Sequence, residues 1–263
     1  MTGVPFKVTV LGCGASAGVP RIGNDWGDCD PHNPRNRRSR ASILIQSAST
    51  TLLVDTGPDL RQQLLAARVS AIDAILWTHG HGDHLNGIDE IRQINRLMNR
   101  VIPAYAQSAC LKKVESSFPH VFKPLAPGSG FIKPTLIPHP VPDEGEIVLG
   151  DLRLKIISLD HGFGVKTMGI RIGEFAYCTD VVELSDDNFA ALKGVQHWLV
   201  DCLGHRPHPT HSHLAKTIAW IEQLAVEQGY LTHLDIDMDY ESLRASLPRH
   251  IQPAYDGMVI EIN

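Results

Sequence analysis

Trp77-Thr78-His79-Gly80-His81-Gly82-Asp83-His84 places four candidate metal ligands within six residues, interleaved with two glycines. Upstream, Ala74-Ile75-Leu76-Trp77 is a short apolar run, the pattern of a buried strand. Downstream, Leu85, Ile88, Ile91, Ile94 and Leu97 recur at three-residue steps, which predicts one amphipathic helix running to about Arg100. The ligands therefore sit on a turn between a strand end and a helix start, where α/β architectures build their sites. Neutral imidazoles and a carboxylate suit zinc, iron or manganese. His79 and His81 can share one ion from an extended loop, and Asp83 and His84, at another phase, can face a second. Gly80 and Gly82 let the backbone turn between them.

A net charge of -5 gives no electrostatic footprint for bulk nucleic-acid binding, although a local basic pocket stays open. Cys13, Cys29, Cys110, Cys178 and Cys202 are odd in number and contain no C-x-x-C, so reduced thiols are expected rather than a disulfide framework. Met1 to Val10 lacks a charged start followed by a long apolar run, and no stretch approaches the ~20 apolar residues of a membrane span. Cytoplasmic residence is the expectation. The histidines bunch at positions 79–84 and again at His205, His208, His211 and His213, as a site would require.

H-x-H-x-D-H after an apolar strand resembles the signature of the metallo-β-lactamase superfamily, and the resemblance extends over most of the chain. It implies an α/β (α+β) fold, a four-layer αββα sandwich occupying residues 1–263 as one domain. His161, Asp180 and His233, each at a predicted strand end, stand where that family keeps further ligands. By the family pattern His79, His81 and His161 hold one metal, and Asp83, His84 and His233 the other. Asp180 bridges them, with a water or hydroxide as second bridge. The implied cofactors are two divalent ions, zinc or manganese. Asp55, in Asp55-Thr56-Gly57, is either the carboxylate that buttresses the histidine loop or an ordinary turn residue.

Gly12-Cys13-Gly14-Ala15-Ser16-Ala17-Gly18 follows a first strand, Phe6 to Leu11, and matches neither a dinucleotide fingerprint nor a P-loop. It is either an anion-binding loop near the site or a plain turn. Pro20 to Arg40 is a long polar loop, and a loop that long is usually functional or disordered. Gly-Val-Pro, the polar loop and Arg-Asn-Arg-Arg together resemble the branch that holds the phosphoribosyl 1,2-cyclic phosphate phosphodiesterase of phosphonate catabolism. That branch often carries C-x-C-x-x-C there; Asn24, Trp26 and Cys29 occupy those positions, so no structural zinc is expected. Arg35, Arg37, Arg38 and Arg40 match phosphate oxygens in geometry. Arg37, Arg40, Ser16 and His213 are taken as substrate contacts. The histidine ahead of a helix in that branch matches His211, which is assigned as general acid with His213 as second choice. Asp83 is counted as catalytic as well as ligating. His205 and His208 are expected in the pocket or on the surface, and Ser212 is the alternative reading of this segment, a helix cap.

Strands are expected at 41–46, 51–55, 73–77, 102–106, 147–149, 152–159, 167–172, 175–178, 197–202, 230–232 and 258–262. Helices are expected at 58–68, 108–117, 185–193 capped by Ser185, 214–228 and 240–247. Phe118 to Pro142 holds seven prolines, Pro119, Pro124, Pro127, Pro134, Pro138, Pro140 and Pro142, and is expected to be a lid or a connector without helix or central strand. His120 and His139 are incidental.

The expected function is hydrolysis of a small phosphodiester, a cyclic ribose phosphate or nucleotide, by a metal-activated hydroxide. A tRNA 3′-end endonuclease, a thioester or lactone hydrolase and a non-catalytic nucleotide sensor are the alternatives. The expected partner is the small substrate, with no membrane and no bulk nucleic acid; a homodimer is left open.

Overall fold

The computed structural model describes residues 4–263; Met1–Gly3, where the leaderless start was expected, lie outside the described residues. Alternating apolar residues build two seven-stranded sheets. Strands β1 (Phe6–Gly12), β2 (Ser42–Gln46), β3 (Thr51–Val54), β4 (Ala74–Leu76), β5 (Ile102–Gln107) and β6 (Leu136–Val141) lie side by side in that order. The second sheet is β7 (Gly145–Leu149), β8 (Leu152–Asp160), β9 (Lys166–Ile172), β10 (Phe175–Cys178), β11 (His197–Asp201), β12 (Gln228–Thr232) and β13 (Ile251–Pro253), again in chain order. The last strand, β14 (Val259–Ile262), returns to pair with β1. Each half runs antiparallel first, through β3 and β10, and parallel afterwards.

Three apolar clusters account for the layers. Val8, Ile43, Leu52, Leu76, Ile156, Ile170, Tyr177 and Leu199, from both sheets, form the core between them. On the outer face of the first sheet, Leu53, Ile75 and Ala104 pack against helices α1 (Leu60–Ala66), α2 (Gly82–Leu85), α3 (Ile91–Met98) and α4 (Ser108–Ser117). On the second, Leu159, Trp198 and Leu231 pack against α5 (Asp186–Leu192), α6 (Leu214–Gln223) and α7 (Tyr240–Ser246). The result is helix, sheet, sheet, helix, as expected. Among the described residues no helix is long and apolar enough to cross a membrane.

Four local expectations are corrected. The helix from Leu85 to Arg100 is broken into α2, a 3-10 turn at Ile88–Glu90, and α3, which ends at Asn99 in the left-handed region. The break lies at Gly87, whose N–H donates to Thr56 O at 2.8 Å and whose missing Cβ leaves room for the Gly57 carbonyl. Leu97, off the buried stripe, is 58% exposed. The proline-rich segment is partly strand: β6 carries Pro138 and Pro140, tolerated because it is the sheet's edge. Helix α6 stops at Gln223, beyond which Ala225 has φ 51° and the chain enters β12. β13 was not expected; three residues ending in proline carry too little pattern. Ser185 caps α5 in a reciprocal pair with Asn188, as expected.

Candidate metal centre

The candidate ligands lie where strands end. His79–His84 follows β4, His161 follows β8, Asp180 follows β10 and His233 follows β12, so loops from both sheets converge at one edge of the sandwich. Asp55, Asp180 and His233 all leave their strands with positive φ, at 67°, 53° and 59°. Non-glycine residues adopt that region at a cost, and it recurs where a site dictates the backbone.

Two donor groups form. His79, His81, His161 and Asp180 each offer an atom within 4.8 Å of the others, and so do Asp83, His84, Asp180 and His233. Asp180 belongs to both. Its carboxylate lies 3.7 Å from His79 Nε2, 3.8 Å from His161 Nε2, 3.3 Å from His84 Nε2 and 3.6 Å from His233 Nε2. Three of these separations are too long for hydrogen bonds. They match the roughly 3.4 Å between donors that each lie ~2.1 Å from a shared tetrahedral cation.

The outer hydrogen bonds fix which ring nitrogen is free. His84 Nδ1 donates to Asp55 Oδ2 at 2.7 Å and His161 Nδ1 donates to Thr210 O at 2.8 Å. Thr78 Oγ1 donates to Asp55 Oδ2 and so accepts from His79 Nδ1 at 3.1 Å. Carboxylates and carbonyls only accept, so the proton sits on Nδ1 and the Nε2 lone pair faces the centre. His79 Nε2, His84 Nε2 and His233 Nε2 are buried without a partner. Orphaned acceptors at this density are what a cation would satisfy.

The electrostatics agree. Burial works against charge on His84, yet Asp180 and Asp55 outweigh it and raise the ring well above its usual value. Burial likewise opposes charge on His233, and Asp180 and Asp83 lift it to about 9. Burial would raise Asp83, but His233 and His84 hold it well below the carboxylate range. The carboxylates thus draw positive charge into the cleft. The donor set fits two divalent ions.

His211 lies beside this centre. Its Nδ1 is 3.1 Å from Asp201 Oδ2 and its Nε2 is 4.0 Å from Asp180 Oδ2. Asp201 ends β11, is fully buried, and also accepts from Val181 N and Ser212 N. The sequence reading passed over Asp201; an aspartate closing the apolar run Trp198-Leu199-Val200 beside a histidine-rich loop was the available signal. Ser212 is not the helix cap: His213 takes that position, and Ser212 Oγ pairs with Thr217 Oγ1 at 2.7 Å.

The remaining candidates scatter. Ser16 is exposed on the glycine loop, which docks beside His233 through Ala15 N to Leu234 O at 3.1 Å. His205 and His208 line a cavity of about 470 Å³ with Arg21, Arg206 and Asp235. Arg37 and Arg40 line a separate cavity of about 760 Å³ between β1 and α1, which none of the seven candidate ligands lines. Arg37 stacks over Trp26, Arg35 over Tyr240 and Tyr255, and Arg40 pairs with Asp59 at 2.9 Å. Arg38 is buried and donates to Met238 O at 2.6 Å, tying the polar loop to the body. Trp26 Nε1 donates to Asn24 Oδ1, and Cys29 is buried against Arg38. His120 pairs with Asp89 and His139 stacks on Tyr105, and neither belongs to a donor group. All five cysteines are buried and free.

Residues 50–234 match the family model of the β-lactamase superfamily domain, so the chain belongs to the metallo-β-lactamase superfamily. A crystal structure of a new diphosphatase from the PhnP family is 33% identical, with a TM-score of 0.90 over 98% of this chain and 97% of that one. Within the superfamily, the chain stands in the PhnP-like branch. A curated octanoyltransferase of Porphyromonas gingivalis is 32% identical over 258 residues, covering 96% of this chain and 51% of that protein. The chain thus spans about half the length of that relative. Zinc-bound PqqB of Methylobacterium extorquens, 18% identical with a TM-score of 0.72 over 97% of this chain and 100% of that one, shares the fold.

Proposed function

We propose that the protein is a metal-dependent hydrolase of a small phosphodiester, a cyclic ribose phosphate or a nucleotide-like compound. The observation that carries this reading is the pair of donor groups sharing Asp180, with His211 directly beside them. The proposed cofactors are two ions, zinc or manganese, held by His79, His81 and His161 on one side and Asp83, His84 and His233 on the other. Such ions, when bound, neutralise phosphoryl oxygens and make hydroxide available near neutral pH.

The chain's own residues supply the rest. Asp55 holds His84 by its Nδ1–H and Thr78 by its N–H and hydroxyl, which sets the ligand loop. Asp201 holds His211 by Nδ1, leaving Nε2 towards the centre. As one P–O bond formed to hydroxide and another broke, His211, protonated at both ring nitrogens, would give its Nε2 proton to the departing oxygen and keep its Nδ1–H on Asp201. Ser16 and His213, on the loops bracketing His233 and His211, are the proposed substrate contacts; Arg37 and Arg40 act only if the substrate reaches their separate cavity. The net charge of -5 favours a small substrate over tRNA.

A second reading, hydrolysis of a diphosphate linkage, is favoured by the 33% identical diphosphatase. Both are tested by loading the protein with manganese or zinc and offering bis(p-nitrophenyl) phosphate, a diphosphate-linked dinucleotide, a lactone and an acyl thioester side by side. Turnover of a phosphorus substrate supports the proposal. Silence on both phosphorus substrates with every divalent metal tried overturns it.

A further inference from the structure

Two residues beyond His161 the chain holds a phenylalanine where a phenylalanine is disfavoured. Gly162, Phe163 and Gly164 have φ 78°, 50° and 77°, three left-handed residues in a row. Glycine adopts that region freely, whereas a bulky side chain there is a genuine outlier. Phe163 is also 84% exposed. Among the described residues it belongs to none of the three apolar clusters, so the fold gains no core packing from the ring.

The turn beneath it is closed by two hydrogen bonds. His161 N donates to Val165 O at 3.0 Å, and Val165 N donates to Gly162 O at 2.9 Å. Gly162 lies so close to the Pro209 carbonyl that a Cβ would collide with it, and His161 Nδ1 donates to Thr210 O. The turn is therefore clamped between a candidate ligand and the loop that carries His211. Two residues of chain reach at most about 7 Å, so the Phe163 Cα lies within that distance of the Cα of His161, a candidate ligand. A strained backbone and an unpacked apolar ring two residues from a candidate ligand point to a functional use.

We infer that Phe163 is a specificity-determining platform on which a flat heterocyclic base of the substrate stacks, so that the phosphodiester's substituent is a nucleoside rather than a bare sugar. The inference deepens the phosphodiester reading and takes the reaction from it. Stacking on an aromatic ring discriminates a base from no base while tolerating any base identity.

The test measures binding separately from turnover. The manganese-loaded protein is titrated with AMP and with ribose 5-phosphate, which share the phosphate and the sugar. The wild type is expected to prefer AMP by about 10-fold. Phe163→Ala should reduce that preference to within about twofold while leaving ribose 5-phosphate affinity unchanged, and Phe163→Trp should retain it. Failure of the wild type to prefer AMP, or an unchanged preference in Phe163→Ala, overturns the inference. So does a dimer that Phe163→Ala splits while the preference persists, because the ring then covers a second copy. Hydrolysis of bis(p-nitrophenyl) phosphate is scored independently. If it is absent while base discrimination still depends on Phe163, the phosphodiester reading falls and the stacking role stands.

Discussion

His211 Nδ1 lies 3.1 Å from Asp201 Oδ2, on a carboxylate with no solvent exposure that also accepts two backbone N–H groups. Three donors on one buried oxygen leave the imidazole little freedom, so its free nitrogen is aimed by the second sheet rather than by its own loop. His211→Ala should keep the bound metal and lower turnover by ~10² to 10⁴. Asp201→Asn keeps the shape but loses the charge, and turnover should fall by about 10² with metal content intact. Saturation kinetics beside elemental analysis check both. Parallel loss of metal in either variant would show that these residues hold the centre rather than orient a proton donor.

The donor sets predict the opposite pattern for ligands. His81→Ala and Asp180→Asn should lose metal and activity together, since each removes a donor and Asp180 serves both groups. Asp55→Asn, one layer out, should weaken metal binding about 10- to 100-fold without removing a ligand. Metal titration of the apo-variants measures this, and wild-type affinity in Asp180→Asn would refute the shared-carboxylate arrangement.

Gly87 is required by packing. Its φ of -97° is open to any residue, but a Cβ there would strike the Gly57 carbonyl. Gly87→Ala should therefore cost about 1–3 kcal/mol, as overpacked sites do. The midpoint of urea unfolding is the measurement; an unchanged midpoint would mean the two turns can separate freely.

Asp256, which belongs to none of the donor groups, should give the stability a pH dependence. Burial pushes its carboxyl up to about 6, against the opposing pull of hydrogen bonds from Ser39 and Cys13. A folded-state value above the unfolded 3.8 means the folded protein holds the proton more tightly. This contribution is fully present below about pH 4 and is lost as pH rises through about 6. At 1.36 kcal/mol per unit, the change is of the order of 3 kcal/mol. Asp256→Asn should flatten the profile in that window. Chemical denaturation of both proteins between pH 4 and pH 7 checks it, and identical slopes would remove Asp256 as the source.

Much of this protein is legible along the chain. H-x-H-x-D-H is local, so its position after an apolar strand was readable, as were the Ser185 cap and the alternation of most strands. Proline content was misleading at Leu136–Val141, because whether a proline-bearing strand is tolerated depends on its being at an edge, which is a property of the sheet. The helix after His84 was mistaken for one piece because its apolar period continues through Gly87, while the interruption comes from Gly57, thirty residues upstream.

The residues and their spacing marked the resemblance to the family, and through it the expected layers, and they supplied the candidate ligands, since hydrophobic period and ligand type are written into neighbouring positions. Tertiary structure alone decided which nitrogen of His79, His84 and His161 is free, that Asp201 holds His211 by Nδ1, and that Arg37 and Arg40 line a cavity that none of the candidate ligands lines. Those outcomes depend on carboxylates, carbonyls and rings brought together from strand ends far apart in the chain. Burial, once the two sheets pack, is what makes their hydrogen bonds obligatory.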